Sequence, residues 1–250
     1  MKLALSFFVL LFGVLCLPAQ GAPQPGRLEI PPAPHHLESA APTGLQRFEE
    51  KGLGGLFYVP HSYRPNEPLP LLILLHGAGR SPSDWFGSYS RRAEAGRFIV
   101  VAPQSSSTTW GRAGDFGPDV SKINHALAVV FRRYAIARDR IIIGGLSDGA
   151  SYALSLGLAN GDRIRGAIAY SPGYVIGREG RGRPSFFVSH GVGDKILPVA
   201  TTRTLVAYLR NAGYAVDYRE FQGGHEVPSA ISDAALAWVQ TIFTTQKGVR

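Results

Sequence analysis

The chain has 250 residues, 45% of them hydrophobic, with 30 Gly, 18 Pro and one Cys. That length and balance suit a single α/β domain with many tight loops, and a core of this size can manage without disulfides. The net charge of +8 is carried by arginine in scattered pairs (Arg91-Arg92, Arg132-Arg133) and one cluster of Arg178, Arg181 and Arg183. With no long basic run or nucleic-acid-binding motif, this argues against a nucleic-acid partner and reads as solubility with a mild pull on anionic surfaces.

Met1-Lys2, the apolar run Leu3 to Leu17 and the small residues of Pro18-Ala19-Gln20-Gly21-Ala22 read as a secretory signal peptide over residues 1–22, cut after Gly21 or Ala22. The run is short for a membrane span, so no stable insertion is expected after cleavage and the destination is the periplasm or the exterior. Cys16 lies within it, which would leave the mature chain without a thiol. Residues 23–43 are rich in Pro and Ala and predict a flexible tail, with His35-His36 solvated on it. The catalytic domain is expected over residues 44–250.

From Leu45 onward, strand and helix signals alternate. Leu45 to Glu50 and Leu56 to Val59 predict a hairpin across Gly52, Gly54 and Gly55. The apolar run Leu69 to Leu75 predicts a central strand buried on both faces, ending in His76-Gly77-Ala78-Gly79. Phe98 to Ala102 is the next strand. Ile123, Leu127, Val130, Phe131 and Tyr134 then recur at helical spacing. Strands are expected over Ile141–Ile143, Ile164–Tyr170, Phe186–Ser189 and Ala215–Phe221. Helices are expected over Ala150–Ala159, Thr201–Asn211 and Pro228–Phe243. This alternation predicts a mostly parallel twisted sheet with helices on both faces and functional groups at the carboxyl ends of the strands. The short connection from Ser171 to Pro184 leaves no room for a large cap domain.

The most informative stretch is Gly145-Leu146-Ser147-Asp148-Gly149, set between the strand Ile141–Ile143 and a helix. A serine flanked by glycines at such a turn is a nucleophile elbow, with its hydroxyl exposed at a helix N-terminus where developing negative charge is favoured. A serine hydroxyl needs a base, itself oriented by an acid. Downstream of Ser147 only His190 and His225 qualify. His225, in Gly223-Gly224-His225 between the last strand and the last helix, stands where the base belongs; His190 ends a strand and reads as a packed residue shaping its turn. Asp194, on the loop after that strand, is the expected acid. Asp162 in an Asn-Gly-Asp turn and Asp217 within a strand have structural explanations, and Asp148 is too close along the elbow. Oxyanion donors are expected from the backbone N–H groups of Asp148 and Ala78, with His76 holding the Ala78 loop. Trp85, Phe86 and Trp110 are expected on loops over the site, Trp85 and Trp110 as pocket walls; Tyr174 is a weaker candidate.

These motifs carry a resemblance. Leu74 to Gly79, Gly145 to Ala150, Ser189 to Asp194 followed by Ile196-Leu197-Pro198, and Gly223-Gly224-His225 occur in the order found in α/β-hydrolases. Residues 56–238 resemble the phospholipase/carboxylesterase type and the neighbouring polyhydroxybutyrate-depolymerase-like esterases. The resemblance implies an α/β-hydrolase fold and hydrolysis of small-molecule carboxylic esters through an acyl-enzyme, with no metal and no cofactor. Polyester, feruloyl and thioester substrates use the same triad, and a catalytically dead scaffold that only binds is the rival of another class. Many carboxylesterases of this type place an aspartate soon after the His-Gly-x-Gly loop; here Arg80-Ser81 follow, at the entrance to the acyl pocket.

Overall fold

A computed structural model describes residues 25–33, 41–50, 52–111, 114–177 and 180–245. The expected signal peptide, Cys16 and His35-His36 lie outside them. Among these residues eight strands and five helices are found, the strands and all helices but α1 where the sequence pattern predicts them: β1 (Gly44–Glu50), β2 (Leu53–Val59), β3 (Leu69–Leu75), α1 (Ser83–Gly96), β4 (Ile99–Pro103), α2 (Asp119–Arg133), β5 (Ile136–Leu146), α3 (Asp148–Ala159), β6 (Gly166–Tyr170), β7 (Ser185–Gly191), α4 (Val199–Asn211), β8 (Val216–Phe221) and α5 (Ser229–Thr245).

The strands form one sheet in the order β1-β2-β4-β3-β5-β6-β7-β8. The β1–β2 hairpin is antiparallel and joins β4 antiparallel; every pairing from β4 to β8 is parallel. Parallel strands need crossovers, and the helices that make them cover both faces of the sheet. The pleat divides each strand between two cores. On one face Leu71, Ile73 and Leu75 of β3 pack with α2, α3 and α4 through Leu127, Leu154 and Leu209. On the other, Leu72 and Leu74 pack with α1 and α5 through Tyr89 and Trp238. Burial on both faces is why the β3 sequence is a continuous apolar run.

Two features depart from the sequence reading. Residues 83–96 form a full helix, so Trp85 and Phe86 stand on α1, buried against the sheet, and not on a loop. Residues 25–33, expected as part of a free tail, are docked on the domain. Leu28 is fully buried, and its N–H donates to Asn160 Oδ1 at 2.8 Å while Asn160 Nδ2 donates to Gly26 O at 2.7 Å. The Glu29 N–H donates to Asn124 Oδ1, and Arg27 grips Asp162 with two hydrogen bonds. That ion pair is the structural use of Asp162. Leu28, the Asn160 and Asn124 side chains and the Arg27–Asp162 pair together dock an otherwise Pro-rich segment, and none of them produces a periodicity.

Candidate active site

Ser147 sits between β5 and α3 with φ 59° and ψ −117°. A non-glycine residue there carries about 1–3 kcal/mol of backbone strain, and the packing around it has to over-determine the turn. That packing is visible. A Cβ on Gly145 would meet the Gly149 backbone at 2.4 Å, and one on Gly149 would lie 2.4 Å from Leu75 O and 2.5 Å from His76 O. Both glycines are therefore required by close approach of backbone to backbone. The Ser147 N–H donates to Tyr170 O, and Ser147 O accepts from Ser151 N, locking the residue from both sides. The elbow stands between β3 and β6, its neighbours across β5.

His225 and Asp194 meet at the same end of the sheet, beyond β7 and β8. His225 Nδ1 lies 2.6 Å from Asp194 Oδ2. The Asp194 side chain is fully buried and that of His225 is 13% exposed. Asp194 Oδ1 accepts from the N–H groups of Ile196 and Leu197. Burial pushes the Asp194 carboxyl up, but the Leu197 N–H, His225 and the Ile196 N–H outweigh it and hold the group below its ordinary value. An ionised Asp194 accepts from His225 Nδ1–H, which leaves Nε2 as the basic nitrogen. The backbone of this loop is also tied down, since Gly193 N donates to Gly223 O.

The loop after β3 is a tight turn. Arg80 N donates to Gly77 O across it, and Gly79 takes φ 66° at its third position, as a type II turn requires. Gly79 N donates to Thr108 O. His76 fixes the same loop from beneath: its Nε2 accepts from Ser105 N, so Nδ1 carries the hydrogen given to Gly77 O. Burial lowers the His76 pKa and favours that neutral ring. Among the described residues neither the Ala78 N–H nor the Asp148 N–H donates to a protein acceptor. A Cβ built on Gly77 would come within 3.6 Å of the Ser147 Cβ, so this turn lies against the elbow.

A cleft of about 260 Å³ opens beside these groups. Gly77, Arg80, Trp85, Leu146 and His225 are among its walls, with Asp84 and Glu226 adding negative charge and Arg80 paired to Asp84. The serine follows Leu146 directly. Its hydroxyl makes no hydrogen bond among the described residues, and the cleft wall beside it is formed by Leu146 and His225. Trp85 thus reaches the expected site, though from a helix. Trp110 does not line this cleft: it is 2% exposed, stacks on Tyr152 and donates its Nε1–H to His76 O, as a support of the loop rather than a pocket wall. The carboxylate of Asp148, next to the serine, accepts from Trp110 N and from the Tyr174 hydroxyl, both at 2.6 Å. It clamps the loops after β4 and β6 against the elbow, a role with no signature in the sequence.

Asp217 pairs with Arg219 on β8, which accounts for it outside the site. His190 is fully buried and hydrogen-bonded to Thr202 Oγ1 and Leu197 O, as a packed turn-shaping residue should be. It also contacts Asp194 Oδ2 at 3.1 Å, a link that spacing alone did not reveal. Among the described residues no group of three or more His, Cys, Asp or Glu is placed to hold a metal ion.

The fold has counterparts among solved structures. A ferulic acid esterase structure superposes with a TM-score of 0.65 at 18% identity, covering 79% of this chain and 97% of that one. The carboxylesterase of Bacillus cereus gives 0.59 at 22% identity, covering 75% and 93%. The S-formylglutathione hydrolase of Agrobacterium tumefaciens gives 0.65 at 16% identity, covering 79% and 94%. This chain has the α/β-hydrolase fold. The family model for phospholipase/carboxylesterase matches residues 119–242. That match runs from α2 into α5 and takes in Ser147, Asp194 and His225.

Proposed function

We propose that this α/β-hydrolase is a serine-dependent carboxylic ester hydrolase. The observation that carries the reading is the pairing of a strained elbow at Ser147 with His225, which lines the cleft together with the adjoining Leu146 and whose Nδ1 is held by the buried Asp194 carboxylate. In the proposed reaction His225 Nε2 takes the Ser147 proton as Oγ attacks the ester carbonyl carbon. The resulting oxyanion is received by the free N–H groups of Ala78 and Asp148, and the positive end of α3 favours the charge. The imidazolium then gives its proton to the leaving alkoxide, which departs as the alcohol and leaves an acyl-serine. Water, deprotonated by the same nitrogen, attacks the acyl group, and the carboxylic acid leaves as Ser147 regains its hydrogen. Every proton step is served by one imidazole.

The cleft volume lies below the usual range for drug-sized ligands, about 300–1,000 Å³, and favours a short acyl or small aryl-acyl group against Trp85 and Leu146. A graded series of p-nitrophenyl esters, beside methyl ferulate and a short polyester, reads this directly; turnover is expected to peak at short acyl chains. A fluorophosphonate is expected to inactivate the enzyme irreversibly with the adduct on Ser147, and EDTA and dithiothreitol to leave activity intact. Loss of activity to EDTA, restored by a divalent ion, would refute the serine mechanism. The N-terminal pattern of residues 1–22 supports export, which the mass of the mature N-terminus recovered after secretion would test.

A further inference from the structure

His190 makes more contacts than a turn needs. It ends β7 with its ring fully buried, between α4 and the loop that carries Asp194. Its Nε2 lies 2.9 Å from Leu197 O and 3.1 Å from Asp194 Oδ2. A carbonyl oxygen and an ionised carboxylate have no hydrogen to offer, so the nitrogen facing both of them has to be a donor. The other nitrogen, Nδ1, lies 2.7 Å from Thr202 Oγ1, and that hydroxyl is 2.9 Å from Pro172 O. The ring is therefore pinned from the start of α4 and from the loop after β6, with its donor edge turned to the triad acid.

We propose that His190 is a positioning residue for the triad, its Nε2–H holding the carboxylate of Asp194 in line with His225. Asp194 has three hydrogen-bond donors, Ile196 N and Leu197 N on Oδ1 and His225 Nδ1 on Oδ2, and His190 Nε2 adds a close contact at 3.1 Å on Oδ2. A carboxylate held on both oxygens cannot turn about its Cβ–Cγ bond without breaking at least two hydrogen bonds. Without His190, Oδ2 keeps only the bond to the residue it has to orient. The flanking loop is open to solvent at Ile196, which is 69% exposed. The role is distinct from the triad histidine's because His190 never meets substrate; it acts through Asp194, as outer-shell partners do.

This inference rests on the proposed triad, and the experiment separates the two. His190→Leu keeps apolar bulk but has no donor; His190→Gln returns an amide N–H near the position of Nε2. With a p-nitrophenyl ester, His190→Leu is expected to lower kcat by about 10–100-fold with KM within about twofold, and His190→Gln to recover most of the loss at an equal melting temperature. A packing role alone would not rank Gln above Leu. The role is overturned if His190→Leu stays within about twofold of wild-type kcat, if the loss appears only in KM, or if Gln is no better than Leu. His225→Ala, run in parallel, tests the triad: turnover that survives it sinks the triad and this inference together. An inactive His225→Ala beside an undiminished His190→Leu sinks only the His190 role. Should His190→Leu fail to fold, ¹⁵N spectra of the wild-type rings decide. A hydrogen bonded to Nε2 of His190 is required, and a ring protonated on Nδ1 alone overturns the proposal.

Discussion

At the scale of single residues, Ser147 combines chemistry and strain, and substitution separates them. Ser147→Ala is expected to abolish ester turnover with no change in melting temperature, because it removes Oγ and leaves φ 59° occupied by a residue with a Cβ. Ser147→Gly is expected to be equally inactive but more stable than Ser147→Ala by about 1 kcal/mol, since glycine adopts that conformation without strain. Chemical denaturation of the two variants measures the difference, and an alanine form at least as stable as the glycine form would remove the strain argument. Asp194→Asn is expected to lower kcat by about 10⁴-fold through the wrong histidine tautomer. The same residue contributes to acid stability. Its folded pKa is depressed, so its stabilisation is present above the ordinary carboxylate value of about 3.9 and is lost as pH falls through the lower folded value. Urea midpoints of wild type and Asp194→Asn should therefore converge as pH drops below about 4, and a constant gap across that window would contradict the assignment.

Between residues and the whole lie the elements, whose job here is close approach. The first turn of α3 lies so near the end of β3 that Gly149 has backbone oxygens of Leu75 and His76 where a Cβ would be. Gly149→Ala is expected to cost about 3 kcal/mol or more, and to lower activity by pushing the elbow from the Gly77–Arg80 turn. A melting temperature within two degrees of wild type would show that the turn can shift at little cost. The α1 helix exposes what a sequence pattern can hide. Trp85, Phe86, Tyr89 and Ala93 are its buried residues and do recur at helical spacing, with Asp84 in the first turn. Gly87, Gly96 and the serines between them weaken the propensity, and burial against the sheet overrides it.

For the molecule as a whole, the docked segment 25–33 belongs to the folded unit. Leu28→Ala is expected to destabilise the protein by about 2–5 kcal/mol, as removal of a fully buried leucine does, with kcat unchanged in the folded fraction. The segment reaches α2 and α3 through Asn124 and Asn160, away from the Asp194–His225 pair. A melting temperature indifferent to Leu28→Ala would mean that the segment contributes nothing to stability.

The order of the strands, the helices other than α1, the elbow and the Ser147, Asp194 and His225 candidates were legible in the sequence. Each depends on local chemistry: period-two or period-3.6 burial, glycines that only a tight turn demands, and a fixed order of nucleophile, acid and base along alternating strands. Tertiary structure alone decided the contacts between groups distant in the chain. It put Asp194 within reach of two histidines, turned the carboxylate of Asp148 toward the loops that carry Trp110 and Tyr174, and buried Trp110 beneath the loop after β3 where it was expected as a pocket wall over the site. It also docked Leu28 where composition suggested a free tail. These outcomes depend on which surfaces face one another once the sheet is closed over on both sides, and a one-dimensional pattern carries no information about that.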